Sequence, residues 1–245
     1  SPTMAILVFQ HWPTGGPGRL GMTLRDHGFR LDIRFPANGD PLPSDLDNVH
    51  GLVILGGPQN VTDIAQYPWM QREVELIKAT HAKELPVIGV CLGAQMIAHA
   101  LGGKVEARAD KPAIGMFNMS LTPAGQTDTF MAGIAWNSPQ SLACGQQITQ
   151  LPPGATLLAS TANTKNAMFR VGMRTFASVP HFECDRAMLE EMYKASTGEL
   201  AAAGLSMQEI QAQIERDYPA FARLSDRLCV NLAAYAFPMQ KKMTA

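Results

Sequence analysis

A thiol that attacks a carbonyl needs an exposed turn, a base, and something to orient that base. The run Gly89-Val90-Cys91-Leu92-Gly93 offers the turn. It separates an apolar, β-branched stretch at 86–90 (PVIGV) from a helix-forming stretch at 92–101 that is closed by Gly102-Gly103. A nucleophile on so sharp a strand-to-helix turn requires small neighbours, because the two backbones pass close together. The pattern is the cysteine counterpart of the G-x-S-x-G elbow. A helix N-terminus favours thiolate over thiol, and the amide of Leu92 is placed to donate to a developing oxyanion. Taken alone, the five residues fit a buried cysteine in a tight turn equally well. Gly56-Gly57-Pro58 ends the preceding apolar run at 52–55, on the carboxyl edge where open α/β sheets bind ligands. The amide of Gly57 would complete an oxyanion hole there; the plain alternative is an ordinary turn.

Six histidines stand at positions 11, 27, 50, 81, 99 and 181. His181 follows a strand-like run at 174–179 and is succeeded by Phe182-Glu183. Residues i and i+2 of an extended chain point the same way, so Glu183 can hold one ring nitrogen of His181 while the other faces a thiol. His27, His50 and His81 fall at helix ends or in loops and are expected in solvent. His99 lies two turns along the helix after Cys91, a packed or surface position. His11 follows the first apolar run, 5–9, and is a second candidate for lining the site. The four cysteines, Cys91, Cys144, Cys184 and Cys229, form no C-x-x-C pair and have no histidine cluster at zinc spacing. No disulfide framework, metal or cofactor is expected, and a reducing cytoplasm is the default location.

The elements that must position these residues are legible as alternating strand and helix signals. Strands are expected at 5–9, 29–35, 52–55 and 86–90, with helices to about His27, at 69–83 and at 92–101. That order predicts an α/β fold with an open, mostly parallel sheet covered by helices. Past Lys104, short strands are expected at 104–109, 115–121, 155–160, 167–171 and 174–179. The segment 184–237 reads as a helical C-terminal extension, broken at Pro219, so residues 1–245 are expected to form one domain. Apolar residues make up 46% of the 245, enough for a globular core. The net charge of −1 gives no support for nucleic-acid binding. No apolar run reaches the roughly 20 residues that span a bilayer. Ser1–Thr3 read either as a vector remnant ahead of a start at Met4 or as part of the natural sequence.

The segments LVILGGPQNVTD (52–63) and PVIGVCLGAQMIAHALGGKV (86–105) resemble the class I glutamine amidotransferases, in the branch that includes the glutaminase domain of GMP synthase. The resemblance runs from about Ala5 to Glu183. It implies a flavodoxin-like fold and a Cys91, His181, Glu183 triad, with the family's His-Pro-Glu written here as His181-Phe182-Glu183. It also implies an oxyanion hole from Gly57 and Leu92, and substrate contacts from Gly56, Pro58 and Gln95. The implied reaction is acyl transfer through a thioester, releasing ammonia or an amine from glutamine or a γ-glutamyl compound. In the family the ammonia passes to a synthase domain or subunit, a partner this chain would need from outside. The sequence leaves two roles open for the C-terminal helices, capping the sheet or forming a homodimer contact.

Two departures bear on the substrate. Where relatives often carry a His-x-Asp segment before Leu-Pro-x-Gly-Ala, this chain has Cys144-Gly145-Gln146 in a run to Ala155 read as a loop. Where many read Glu-Ile-Gly-Trp, it has Ala113-Ile114-Gly115-Met116. Free glutamine carries an α-ammonium and an α-carboxylate that a site must pair, so losing acidic groups weakens the match to free glutamine. This leaves either an amide hydrolase of altered substrate or a binding and regulatory protein that has lost turnover. Cys144 itself reads as a small loop residue more readily than as a second reactive thiol.

Overall fold

The computed structural model describes residues 4–237, so the reading of Ser1–Thr3 lies outside the described residues. The first half contains β1 (Ala5–Phe9), α1 (Gly18–Asp26), β2 (Leu31–Arg34), β3 (Val49–Ile54), α2 (Pro68–Ala82), β4 (Val87–Val90) and α3 (Leu92–Ala100). There follow β5 (Lys104–Ala107), β6 (Ala113–Leu121), the short α4 (Pro123–Thr127), β7 (Asn137–Cys144), β8 (Gln146–Gln150), β9 (Ala155–Thr161), β10 (Thr164–Val171) and β11 (Thr175–Ser178). Three helices close the described chain: α5 (Arg186–Ala195), α6 (Thr197–Ala203) and α7 (Met207–Tyr235).

The main sheet has the order β2-β1-β3-β4-β11-β10-β9-β6-β7, and β5 pairs with β8 in a separate ribbon. From β2 through β11 every pairing is parallel; from β11 onward every pairing is antiparallel. β1, β3 and β4 are buried along their whole length, as strands covered by helices on both faces must be. The register aligns the strand ends. Ile54 lies beside Gly89, and Ser178 lies beside Val90. Three parallel chains therefore leave the sheet at the same edge.

The structure departs from the sequence reading in three places. The run at 144–155 is a loop only in part, because β7 ends at Cys144 and β8 occupies Gln146–Gln150, leaving Gly145 and 151–154 as connections. β7 is polar and contains Pro139, which hides its periodicity; the sheet tolerates it because β7 is an edge strand. α7 is continuous for 29 residues with Pro219 inside it. Pro219 is exposed, so the carbonyl it leaves unbonded faces water instead of breaking the helix. A capping box of Ser206 and Glu209 starts this helix. His50 lies within β3, buried and edge-on to Phe29, and His81 bonds Thr175 Oγ1 at 2.7 Å, so neither is simply solvated.

The C-terminal helices build a second core of their own. Leu189, Met192, Tyr193, Leu200, Ile210, Ile214 and Phe221 pack with Ile114 and Met116 of β6. Gln213 of α7 accepts from the amide of Met116 at 2.9 Å. The segment 113–116 is thus a strand roofed by helices, and it stays clear of the cleft at the sheet edge. No described helix is long and apolar enough to cross a membrane.

Gly89 and Gly93 show why the elbow needs small residues. A Cβ on Gly93 would overlap the carbonyl oxygen of Ile54, and one on Gly89 would stand 2.6 Å from the backbone carbonyl of Gly93. Strand and helix meet backbone to backbone, with nothing flexible to move aside. Gly93→Ala is expected to destabilise the protein by about 1–3 kcal/mol or more, read as a lower urea midpoint at unchanged slope. An unchanged midpoint would contradict this close packing.

Candidate active site

Cys91 is the N-cap of α3 and holds φ 51° and ψ −105°. A left-handed φ is costly for a residue with a side chain and persists only where the surroundings over-determine it. Here the amide of Cys91 donates to Ser178 O of β11 at 2.8 Å, and its carbonyl accepts from Gln95 N at 3.0 Å. The elbow is thereby tied to the neighbouring strand on one side and to its own helix on the other. Cys91 is 5% exposed, and its sulfur lies 3.9 Å from Ala143 O.

β11 brings His181 to the same place. The chain leaves the sheet after Ser178, whose hydroxyl donates to Pro180 O at 2.7 Å. The amide of His181 then donates to Ser141 O of β7 at 2.8 Å. His181 Nδ1 and Glu183 Oε1 are 2.8 Å apart, both side chains buried. That bond assigns the Nδ1 proton and turns Nε2 toward the space above Gly56. A Cβ built on Gly56 would stand 2.7 Å from His181 Cε1, 3.5 Å from His181 Nε2 and 3.4 Å from Cys91 Cβ. Thiol, imidazole and the Gly56 backbone therefore converge on one point, and only a glycine fits between them.

The electrostatics follow from burial and neighbours. Burial works against charge on His181, but the Glu183 carboxylate and the Cys91 sulfur, with hydrogen bonds to Cys184 and Cys91, hold its pKa well above the ordinary histidine value. Burial and then the Glu183 carboxylate push the Cys184 thiol up to about 12. It remains a thiol, 3.7 Å from Glu183 Oε1. Cys144 is pushed up to about 11, by burial first and then by Cys91, against the pull of Arg108. His181, Glu183 and Cys184 place ligand atoms within 4.8 Å of one another. An ion there would have to break the His181–Glu183 bond.

Over this point opens a cleft of about 380 Å³. Its floor contains Cys91, Leu92, Gln95 and His181, and the loop at 57–60 forms one wall. The opposite wall is the end of β7 with Gly145 and Gln146. Of the residues singled out in the sequence, Gly57, Pro58, Cys91, Leu92, Gln95 and His181 all line the cleft. Gly56 and Glu183 lie just behind, around His181. Cys144 also lines the cleft, at a strand end and not in a loop.

His11 does not line it. The residue is 1% exposed, its ring stacked on Trp69 at 5.4 Å. Its Nδ1 is 2.9 Å from Leu55 O and its Nε2 3.0 Å from Glu73 Oε2. Its backbone carbonyl accepts from Gln59 Nε2 at 3.1 Å. His11 braces the Gly56-Gly57 loop from behind, and the next residue, Trp12, reaches the cleft instead. Sequence reasoning misses Trp12, Asn60, Met192, Ala195, Ser196 and Glu199. The last four come from α5, the α5–α6 junction and α6, which close over the sheet edge by tertiary packing that no local pattern encodes.

The family described as "Glutamine amidotransferase class-I" matches this chain over residues 23–176. GMP synthase of Porphyromonas gingivalis is 32% identical over 143 residues, 58% of this chain and 26% of that protein. The chain thus spans about a quarter of the length of the GMP synthase it matches. Gamma-glutamyl peptidase 3 of Arabidopsis thaliana is 28% identical over 175 residues, 69% of each chain. A glutamine amidotransferase of Thermotoga maritima superposes with a TM-score of 0.81 at 22% identity, over 95% of this chain and 99% of that one. That last likeness is one of fold, and it includes the helical C-terminal segment. The matched span contains the Gly-Gly-Pro loop and the cysteine elbow, and the chain belongs to the class I glutamine amidotransferase family.

Proposed function

We propose that the protein is a cysteine-dependent amide hydrolase, with Cys91 as nucleophile, His181 as acid and base, and Glu183 as its orienter. The observation that carries this reading is the convergence of Cys91 and the Glu183-bound His181 on the space above Gly56. In this reading the Cys91 sulfur attacks the carboxamide carbon, and the carbonyl electrons move onto oxygen. The amides of Gly57 and Leu92, both at the cleft, hold that oxyanion. The C–N bond breaks as His181 protonates the leaving nitrogen, leaving a thioester. Water, deprotonated by His181, then attacks the thioester and releases the acid and the thiol. Glu183 keeps the Nδ1 proton in place throughout and stabilises the imidazolium. Gln95, Gly56 and Pro58 shape the glutamyl subsite.

The acyl donor proposed is glutamine or a γ-glutamyl amide. Kinship with a gamma-glutamyl peptidase over most of both chains supports the second. Kinship with the GMP synthases supports an ammonia-accepting synthase partner for the first. A second reading, ligand binding without turnover, draws on Cys144 and Gln146 standing where relatives carry charged recognition groups. Ammonia or glutamate formed from any of these amides removes it.

Cys91→Ala is expected to keep its thermal midpoint and lose ammonia release by about 10³-fold or more, assayed on glutamine and γ-glutamyl amides. A glutamine-like diazoketone should label Cys91 ahead of Cys229, seen by peptide mass. Equal labelling of both would remove the nucleophile assignment.

Glu183→Gln removes the leading influence that raises His181. The His181 midpoint, followed by NMR of the imidazole, is expected to fall. Stability moves with it. With the folded-state pKa raised, proton binding stabilises the fold below the ordinary histidine value, and this contribution disappears as pH rises through the folded-state value. In the Gln variant it should disappear at lower pH, seen in the unfolding midpoint against pH. A midpoint for His181 that stays or rises would refute the assignment of cause.

A further inference from the structure

The proposed reaction leaves one buried polar pair unused. The side chains of His11 and Glu73 are both shut off from solvent. His11 Nδ1 donates to Leu55 O at 2.9 Å, since a carbonyl oxygen can only accept. His11 Nε2 faces both oxygens of Glu73, at 3.1 and 3.0 Å, and Glu73 has no other side-chain partner among the described residues. Trp69, one turn before Glu73 on α2, stacks on the ring at 5.4 Å. The imidazole is thus clamped at each nitrogen and along one face. Stability alone does not call for such a pair, because apolar side chains of like volume often serve a fold as well.

The clamped residue carries the loop that follows β3. Leu55 O accepts from its ring. Gly57 lies against its methylene, so that a Cβ on Gly57 would stand 2.5 Å from His11 Cβ. Gln59 Nε2 donates to its backbone carbonyl at 3.1 Å. Residues 55, 57 and 59 therefore all rest on His11. The amides of Gly56 and Gly57 have no acceptor among the described residues. An oxyanion donor has to be left free in this way, because a bond within the protein would compete with the substrate. Its direction must then come from flanking contacts, and at Gly57 these run to His11 and to Gln59, which His11 holds. We propose, on the reading of Gly57 as an oxyanion donor in an amide-hydrolase cleft, that His11 and Glu73 are positioning residues that aim the Gly57 amide. Cys91 and His181 are held by other partners, Ser178 and Glu183. Loss of the pair therefore weakens the transition state and spares substrate binding.

The test compares the unaltered protein with two double variants. His11→Leu/Glu73→Leu removes both members together, so that no carboxylate is stranded. His11→Asn/Glu73→Leu restores a side-chain N–H where Nδ1 stood, within reach of Leu55 O. Kinetics on glutamine and γ-glutamyl amides give kcat and KM. Alkylation of Cys91 by iodoacetamide gives thiol reactivity, because displacement at a saturated carbon builds no oxyanion. Spin relaxation of the Gly57 amide nitrogen gives loop order without any turnover. H11L/E73L is expected to lose about tenfold or more in kcat, with KM and alkylation rate within about twofold of the unaltered protein, and its Gly57 amide gains motion. H11N/E73L should recover most of kcat. An unchanged kcat in H11L/E73L, a loss shared by alkylation, a loss confined to kcat/KM through KM, or no recovery in H11N/E73L would each overturn the proposal. Should H11L/E73L fail to fold, Glu73→Leu alone frees the ring while Nδ1 stays on Leu55 O; a kcat lower by about threefold or more upholds the pair, and an unchanged kcat overturns it. If the unaltered protein turns over no amide, the hydrolase reading fails and relaxation decides the rest: greater motion of Gly57 in the variants upholds the clamp on the loop, and unchanged motion removes it.

Discussion

β11 lies parallel to β4 with Ser178 beside Val90, and nearly everything at the cleft depends on that alignment. Cys91 is the next residue after Val90, and its amide is held by Ser178 O. Three residues beyond Ser178 the chain reaches His181. Neither residue would find the other through local structure, because β5 through β10, all paired antiparallel, lie between the elbow and β11 in the chain. The sheet supplies the encounter: parallel neighbours expose their carboxyl ends on one edge, and here two adjacent strands end in a sulfur and an imidazole. On the other flank β3 ends beside Gly89 and releases Gly56 into the space under the ring. A slip of one residue between β4 and β11 would reverse the facing of side chains along the strand and separate the pair.

The left-handed φ of Cys91 is the local counterpart of this long-range constraint. A residue with a side chain adopts it only under compulsion. The compulsion is visible: a strand bond on one side, a helix bond on the other, and glycines at 89 and 93 that let the two backbones touch. The electrostatic consequence is a buried imidazole between a carboxylate and a sulfur, both of which favour its protonated form despite desolvation.

Local patterns make the parallel half of the fold readable. Fully apolar runs such as Ala5–Phe9 have few alternatives to a buried strand, and the G-x-C-x-G elbow announces its own geometry. His181 and Glu183 are readable from their i, i+2 spacing, although β11 ends at Ser178 and a turn at 182–183, not extended backbone, brings the carboxylate to the ring. The antiparallel half is harder. β7 is half polar and contains a proline, and only its place at the sheet edge permits that. His11 misleads because the carboxyl end of a strand is the right neighbourhood for a site; its ring instead turns inward to Glu73 and Leu55 O. Glu199 leaves no trace at all in local sequence. An exposed glutamate in a short helix looks like any solvated residue until the fold sets it against a cavity whose floor comes from a distant part of the chain.

A buried hydrogen bond ties the helical roof to the strand that seats His181. Tyr193 of α5 is buried, and its hydroxyl lies 2.6 Å from Ser141 Oγ. Ser141 is also the residue whose carbonyl accepts the amide of His181. The helical roof and the imidazole thus share a single anchor on β7. A lineage that reshapes α5 and α6 pulls on the same serine that seats His181. The shape of the roof and the seat of the imidazole are therefore mechanically linked, and a change in one should be felt in the other.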